Sequence, residues 1–298
     1  MSHVLEVNEL IKDYGPLRAV NKLSIQLEKG RVYGILGPNG SGKTTTLGVL
    51  LGTINDYHGN FSWFQNGNKN ENRKRIGAIL EQPNFYKHLS AKNNLKIIAL
   101  LKNVTEDDIY RVAKIVDLDS RLNDPYKSYS LGMKQRLGIA AALLGNPEVL
   151  VLDEPTNGLD PKGIIDIREL IQKIASQGIT ILIASHMLDE VQKVCSHVCI
   201  IQNGITKAQG KLSEIMSGDQ FLEISSENMD KLKETLLTFG PIEEKDLVLE
   251  KNLIMIRLNK EIDVPKINAH ILNSGVSVTH FSTRSKSLEE FFIQTTEQ

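Results

Sequence analysis

The stretch Val32-Tyr33-Gly34-Ile35-Leu36-Gly37-Pro38-Asn39-Gly40-Ser41-Gly42-Lys43-Thr44-Thr45 decides how this chain folds. Val32–Leu36 is short and mostly apolar, the mark of a buried strand. The next eight residues match G-x-x-x-x-G-K-[ST], and a helix follows from about Lys43 to Leu51. Glycines let successive backbone N–H groups wrap phosphate oxygens, and the helix N-terminus adds a favourable dipole. Lys43 then reaches the β- and γ-phosphates, and the Thr44 hydroxyl serves Mg²⁺. Strand, loop and helix together predict an α/β domain that binds a nucleoside triphosphate.

A second strand completes the chemistry. Val149-Leu150-Val151-Leu152-Asp153-Glu154 is an apolar run that ends in two carboxylates. Alone it is a weak signal. Beside a phosphate loop it assigns Asp153 to Mg²⁺ through water and Glu154 to the attacking water as general base. Between the two lies Tyr129-Ser130-Leu131-Gly132-Met133-Lys134-Gln135-Arg136, where Ser130 reads as the N-cap of a helix.

Around these motifs strands and helices alternate. The first 36 residues read as strands, with further strands at Phe61–Phe64 and Arg75–Leu80. Ser90–Leu144 reads as helical. Ser90 caps one helix, and Thr105-Glu106-Asp107-Asp108 resembles a capping box. Asp160-Pro161 opens a helix whose Ile164, Ile167, Ile171 and Ile174 share one face. Ile179–Ala184 is a buried strand, and Asn203-Gly204 signals a hairpin. The expected core is therefore 1–218, with a helical insertion at about 83–147. The composition changes near Ser217-Gly218-Asp219. Residues 219–298 read as a small α+β domain without a chemical motif, its last strand expected at Val276–Phe281.

Composition sets outer bounds. The chain has 298 residues, 41% of them hydrophobic and 24% charged, an ordinary balance for a folded protein. Lys and Arg number 35 against 36 acids, for a net charge of −1, so no surface dedicated to nucleic acid is expected. Cys195 and Cys199 read as buried thiols in a reducing compartment. No apolar run approaches the roughly 20 residues of a membrane span, and the N-terminus lacks a signal-peptide pattern.

With the motifs in this order, the chain resembles the ATP-binding subunits of ABC transporters over about residues 3–215. The resemblance implies a P-loop ABC ATPase core with an inserted helical subdomain. It also implies how the remaining residues contribute. Tyr14 stacks on adenine. Gly37, Pro38, Asn39, Gly40, Ser41, Gly42, Lys43, Thr44 and Thr45 bind the phosphates. Gln82 is the Q-loop glutamine, serving catalysis and Mg²⁺. Asn157-Gly158-Leu159-Asp160 is the D-loop, with Asp160 near the nucleotide. His186 is the switch histidine. Ser130, Leu131 and Gly132 stand in the signature and contact the γ-phosphate bound by an opposing copy. The cofactors implied are ATP and Mg²⁺. The partners implied are a second copy of the chain and an integral membrane permease, with the chain cytoplasmic and peripheral on the inner face of the membrane.

The signature departs from the family's LSGGQ. Its first glycine is Leu131, its leading leucine Tyr129 and its final glutamine Met133. Leu131 can offer its N–H only if its φ stays negative and its side chain points away from phosphate. This form is similar to export ATPases of the bacitracin and lantibiotic-resistance type. The competing reading is a soluble ABC-type ATPase that remodels nucleic acid or ribosomes. Such relatives usually carry two cassettes, and this chain has one phosphate loop.

Overall fold

The computed structural model describes residues 3–65, 69–81, 83–216, 220–250, 252–258 and 262–296. They form two compact units, one of Met1–Leu212 with Thr295–Gln298, the other of Ser213–Gln294. The expected boundary at 218 and 219 lies outside the described residues.

In the first unit a six-stranded sheet runs in the order Ile76–Ile79, Val149–Asp153, Thr180–Ser185, Val32–Leu36, His197–Gln202, Ile205–Lys211. The first five are parallel, and the last joins antiparallel. Strands buried on both faces read as continuous apolar runs, and Val32–Leu36, Val149–Asp153 and Thr180–Ser185 are buried at every position. The closing hairpin turns on Asn203 and Gly204, with φ of 52° and 74°, the pair of left-handed residues that a tight hairpin turn requires.

A three-stranded antiparallel sheet, in the order Leu17–Glu28, His3–Tyr14, His58–Trp63, shares one core with the parallel sheet. Phe64 is not part of the last strand as expected. It and Gln65 take left-handed φ of 61° and 56° and end the pairing. A short helix, Lys69–Lys74, was not legible in the sequence.

The helical segment contains Ala91–Lys102, Glu106–Ile115 and Leu131–Leu143. Ser90 caps the first, accepting from the Asn93 N–H at 3.2 Å. Thr105 makes no side-chain cap, so the expected capping box does not form. The reason is competition: Asp108 accepts instead from Arg111 Nε at 2.5 Å and from the Gly145 N–H at 2.7 Å. The helix Pro161–Ala175 starts as expected, and it buries Ile167, Leu170, Ile171 and Ile174.

The second unit follows the order strand Gln220–Ser226, helix Met229–Leu237, strands Leu247–Glu250 and Leu253–Leu258, helix Val264–Asn273, strand Val278–Ser285. This is a split βαβ arrangement. Its sheet order puts the first strand between the third and the fourth. The last strand begins two residues later than the sequence predicts, and Val276 is instead buried in the unit's core with Leu222, Ile224, Leu232 and Ile256.

Candidate functional site

Three neighbouring strands end at one level. Leu36 pairs with Ser185, and Asp153 with Ala184. The residues that follow, Gly37, Glu154 and His186, therefore emerge together at the carboxyl edge of the sheet, where open α/β sheets bind ligands.

In the phosphate loop, Gly40 and Gly42 have φ of 80° and 101°, a region closed to most side chains. A Cβ on Gly42 would collide with the Ala19 carbonyl oxygen, so the loop lies directly against the strand Leu17–Glu28. No side chain caps the helix Lys43–Leu51, which leaves its N-terminus suited to an anion. The Lys43 ammonium donates to the Gly37 and Pro38 carbonyls at 2.8 and 3.3 Å. Burial holds its pKa below the ordinary lysine value, opposed by the charges of Glu154 and Asp153. Thr45 follows in the same helix, half-buried.

The Thr44 hydroxyl donates to Asp153 Oδ2 at 2.9 Å. Asp153 is 2% exposed, and its other oxygen, Oδ1, is buried with no partner, as is Ser41 Oγ. A buried polar atom without a partner calls for an explanation. Hydroxyl and carboxylate oxygens side by side form the hard donor set that Mg²⁺ prefers, so these residues fit that ion. Burial is also the main reason that the Asp153 pKa is raised, with Glu154 and Glu81 adding to it and Thr44 and Lys43 opposing.

Glu154 sits in a left-handed conformation, φ 48°. Its N–H is held by the Ala184 carbonyl at 2.9 Å. Its carboxylate meets His186 Nδ1 at 2.9 Å through Oε1, and accepts from Ser185 Oγ at 3.4 Å through Oε2. Ser185 in turn accepts from the Met187 N–H at 3.0 Å. That bond points the Ser185 proton toward Glu154, a role the sequence reading missed. The only signal was a serine immediately before the histidine. A cavity of about 200 Å³ opens beside this group, lined by Thr44, Asp153 and Glu154 on one side and Leu131, Lys134 and Gln135 on the other.

Ser130 accepts from the Met133 N–H at 3.2 Å and caps the helix Leu131–Leu143. Leu131 is that helix's first residue and is not among the residues with positive φ. Its N–H therefore keeps a helical direction, as the departure at this position requires. Its side chain, 41% exposed, lies beside Gly158, where a Cβ would stand 3.3 Å from Leu131 Cδ2. Ser130, Leu131 and Gly132 line a second pocket, of about 420 Å³, with Gly158, Asp160 and Arg136. Asp160 is spent as an N-cap, accepting from the Gly163 N–H at 3.1 Å. Tyr14 ends the first strand of a hairpin, pairs with Leu17 and is 47% exposed. Gln82 lies outside the described residues.

Both cysteines are buried and free. Burial raises both thiols, Cys199 to about 12, so neither is a thiolate ligand or nucleophile at neutral pH. No metal-holding cluster of His, Cys, Asp and Glu occurs among the described residues.

Parallel sheet, phosphate loop, and paired carboxylates at the end of a neighbouring strand define a P-loop nucleoside-triphosphatase. The comparisons make this specific. Residues 20–157 match the family model described as ABC transporter. The bacitracin transport ATP-binding protein BcrA of Bacillus licheniformis is 37% identical over 304 residues, covering 99% of this chain and 97% of that protein. The lantibiotic transport ATP-binding protein SrtF of Streptococcus pyogenes is 40% identical over 201 residues, covering 67% and 88%. Among solved structures, cbiO1 of Clostridium perfringens, part of an ABC transporter complex, is 26% identical with a TM-score of 0.66, covering 81% of this chain and 97% of that one. The ADP conformation of MJ1267, an ATP-binding cassette, is also 26% identical with a TM-score of 0.66, covering 72% and 93%. The chain belongs to the ABC transporter family, as one of its ATP-binding, ATPase subunits.

Proposed function

We propose that two copies of this chain bind two MgATP between them and use hydrolysis to drive export through a separate membrane subunit. Supporting this most directly is the sheet edge where Asp153, Glu154 and His186, at the ends of neighbouring strands, join Lys43 and Thr44 at the start of the helix after the loop.

The Lys43 ammonium exchanges its two loop carbonyls for phosphate oxygens, and the backbone of Gly37–Thr45 wraps the rest. Tyr14 takes the adenine. Thr44 and Asp153 would hold Mg²⁺, which neutralises charge on the phosphate oxygens when bound, with Gln82 assigned beside them. Glu154 accepts a proton from the attacking water. His186 and Ser185 hold its carboxylate in line, because phosphoryl transfer depends on positioning more than on covalent help. The pocket at Ser130–Gly132 faces Gly158 and Asp160, and no phosphate-loop residue lines it among those described. It is therefore assigned to the nucleotide of a second copy, a two-fold arrangement that uses one surface twice. ATP then becomes part of the interface, so binding closes it and hydrolysis opens it.

No helix of the described residues is long and apolar enough to cross a membrane. The membrane step belongs to a permease subunit, and the chain works from the cytoplasmic face. Export follows from the relatives named for bacitracin and lantibiotic transport. The test is peptide movement in inside-out vesicles that contain the membrane subunit. ATP-dependent uptake of a peptide antibiotic, lost with Lys43→Ala, is expected. ATP hydrolysis stimulated by ribosomes but not by those vesicles would replace this reading with the soluble one.

A further inference from the structure

Lys12 lies two residues before Tyr14 on the strand His3–Tyr14, so both side chains point to the same side. It is 5% exposed, at a position where the pattern around Leu10 calls for an apolar residue. Lysine is almost never fully buried without a partner. Here the ammonium has two contacts. It donates to Asp56 Oδ2 at 3.0 Å, and it stands 4.7 Å from the centre of the Tyr14 ring. The Asp56 side chain is 94% exposed, so the carboxylate anchors the ammonium from the solvent side.

We infer that Lys12 is a positioning residue for the base of the nucleotide: it covers one face of Tyr14 and leaves the opposite face as the stacking surface. The inference rests on the reading of Tyr14 as the adenine platform. Two physical effects follow. A cation over one face holds the ring, and an exposed tyrosine otherwise exchanges among its staggered rotamers. The cation also draws negative potential from the far face. Two aromatic systems stacked face to face repel through their quadrupoles, and a cation behind one of them lowers that repulsion. Asp56 contributes by keeping the ammonium in register. An apolar side chain at 12 would satisfy the core equally well but would do neither.

The experiment is a double-mutant cycle on the full chain, reading affinity by calorimetry for MgATP and separately for inorganic tripolyphosphate. Lys12→Met should weaken MgATP binding about 3- to 10-fold and leave tripolyphosphate unchanged. Unchanged tripolyphosphate binding also shows that the variant is folded. Lys12→Arg should restore most of the loss. In a Tyr14→Ala background, Lys12→Met should cause no further loss. Equal losses in both backgrounds, a loss that extends to tripolyphosphate, or no loss at all would overturn the role of Lys12. Tyr14→Ala with unchanged MgATP affinity would instead overturn the platform itself.

Discussion

The two units of this chain handle polar groups and strain in opposite ways. In Ser213–Gln294 a cluster of charged side chains is matched. Arg284 joins Glu223 at 2.5 Å and Glu290 at 2.8 Å, and Ser287 accepts from the Glu290 N–H at 3.1 Å. In the unit ending at Leu212, Ser41, Thr46, Asp153 and Glu190 each leave a buried polar atom without a partner. Every non-glycine residue with positive φ among those described is also in that unit, Glu81 and Glu154 included. A residue held in the left-handed region costs about 1–3 kcal/mol, and it persists where surrounding structure imposes it. Orphaned oxygens and a strained glutamate therefore coincide at the carboxyl edge of the parallel sheet. The proposed chemistry sits at that edge, and no residue of the second unit lines either of the pockets beside it.

Lys43→Ala is the sharpest way to break this contrast. It removes the principal cation for the phosphates, and titration with a fluorescent nucleotide should detect no binding. Near-normal affinity would remove the phosphate loop from the account. Tyr14→Ala comes next. Base–aromatic stacking is worth roughly 1–3 kcal/mol, so ATP affinity should fall about 5- to 150-fold, while Tyr14→Phe stays near wild type. Equal losses in the two variants would assign the effect to the hydroxyl.

Asp153→Asn tests the strain directly. Burial raises the Asp153 pKa in the folded state, so the ionised carboxylate opposes folding. The cost is absent below the unfolded pKa of about 3.9, grows as pH rises toward the higher folded value, and is complete above it. Asparagine carries no such charge, so the nucleotide-free variant should melt a few degrees above wild type at pH 7, with the gap closing in acid. A lower melting temperature at pH 7 would show that the ionised group stabilises the fold. The smallest effect is expected from ending the chain at Ser217, since the second unit lines neither pocket. A folded truncation that fails to bind ATP would show that residues beyond Ser217 complete the site.

Much of this was legible beforehand, because the informative residues act locally. Gly40 and Gly42 shape the loop before Lys43 through their own backbone freedom, and Ser90, Ser130 and Asp160 cap the helices that follow them. What escaped depends on residues distant in sequence. Thr105 looks like a cap, but Asp108 is drawn to the Gly145 N–H, far along the chain. The left-handed turn at Glu154 is imposed by the Ala184 carbonyl. The place of Leu131 beside Gly158 depends on a helix start meeting a turn from a later segment. The ammonium over Tyr14 needs Asp56, from a different segment.

Whether ATP is an interface component between two copies is tested by Glu154→Gln, which separates binding from hydrolysis. A positioned general base contributes typically 10²–10⁴-fold, so turnover should fall by about that factor while Thr44, Asp153 and Lys43 keep affinity. With reopening blocked, size-exclusion chromatography with light scattering should find the variant as a dimer in MgATP and a monomer without it. Wild type under turnover should be mainly monomeric. A variant that binds MgATP tightly yet stays monomeric would contradict the account.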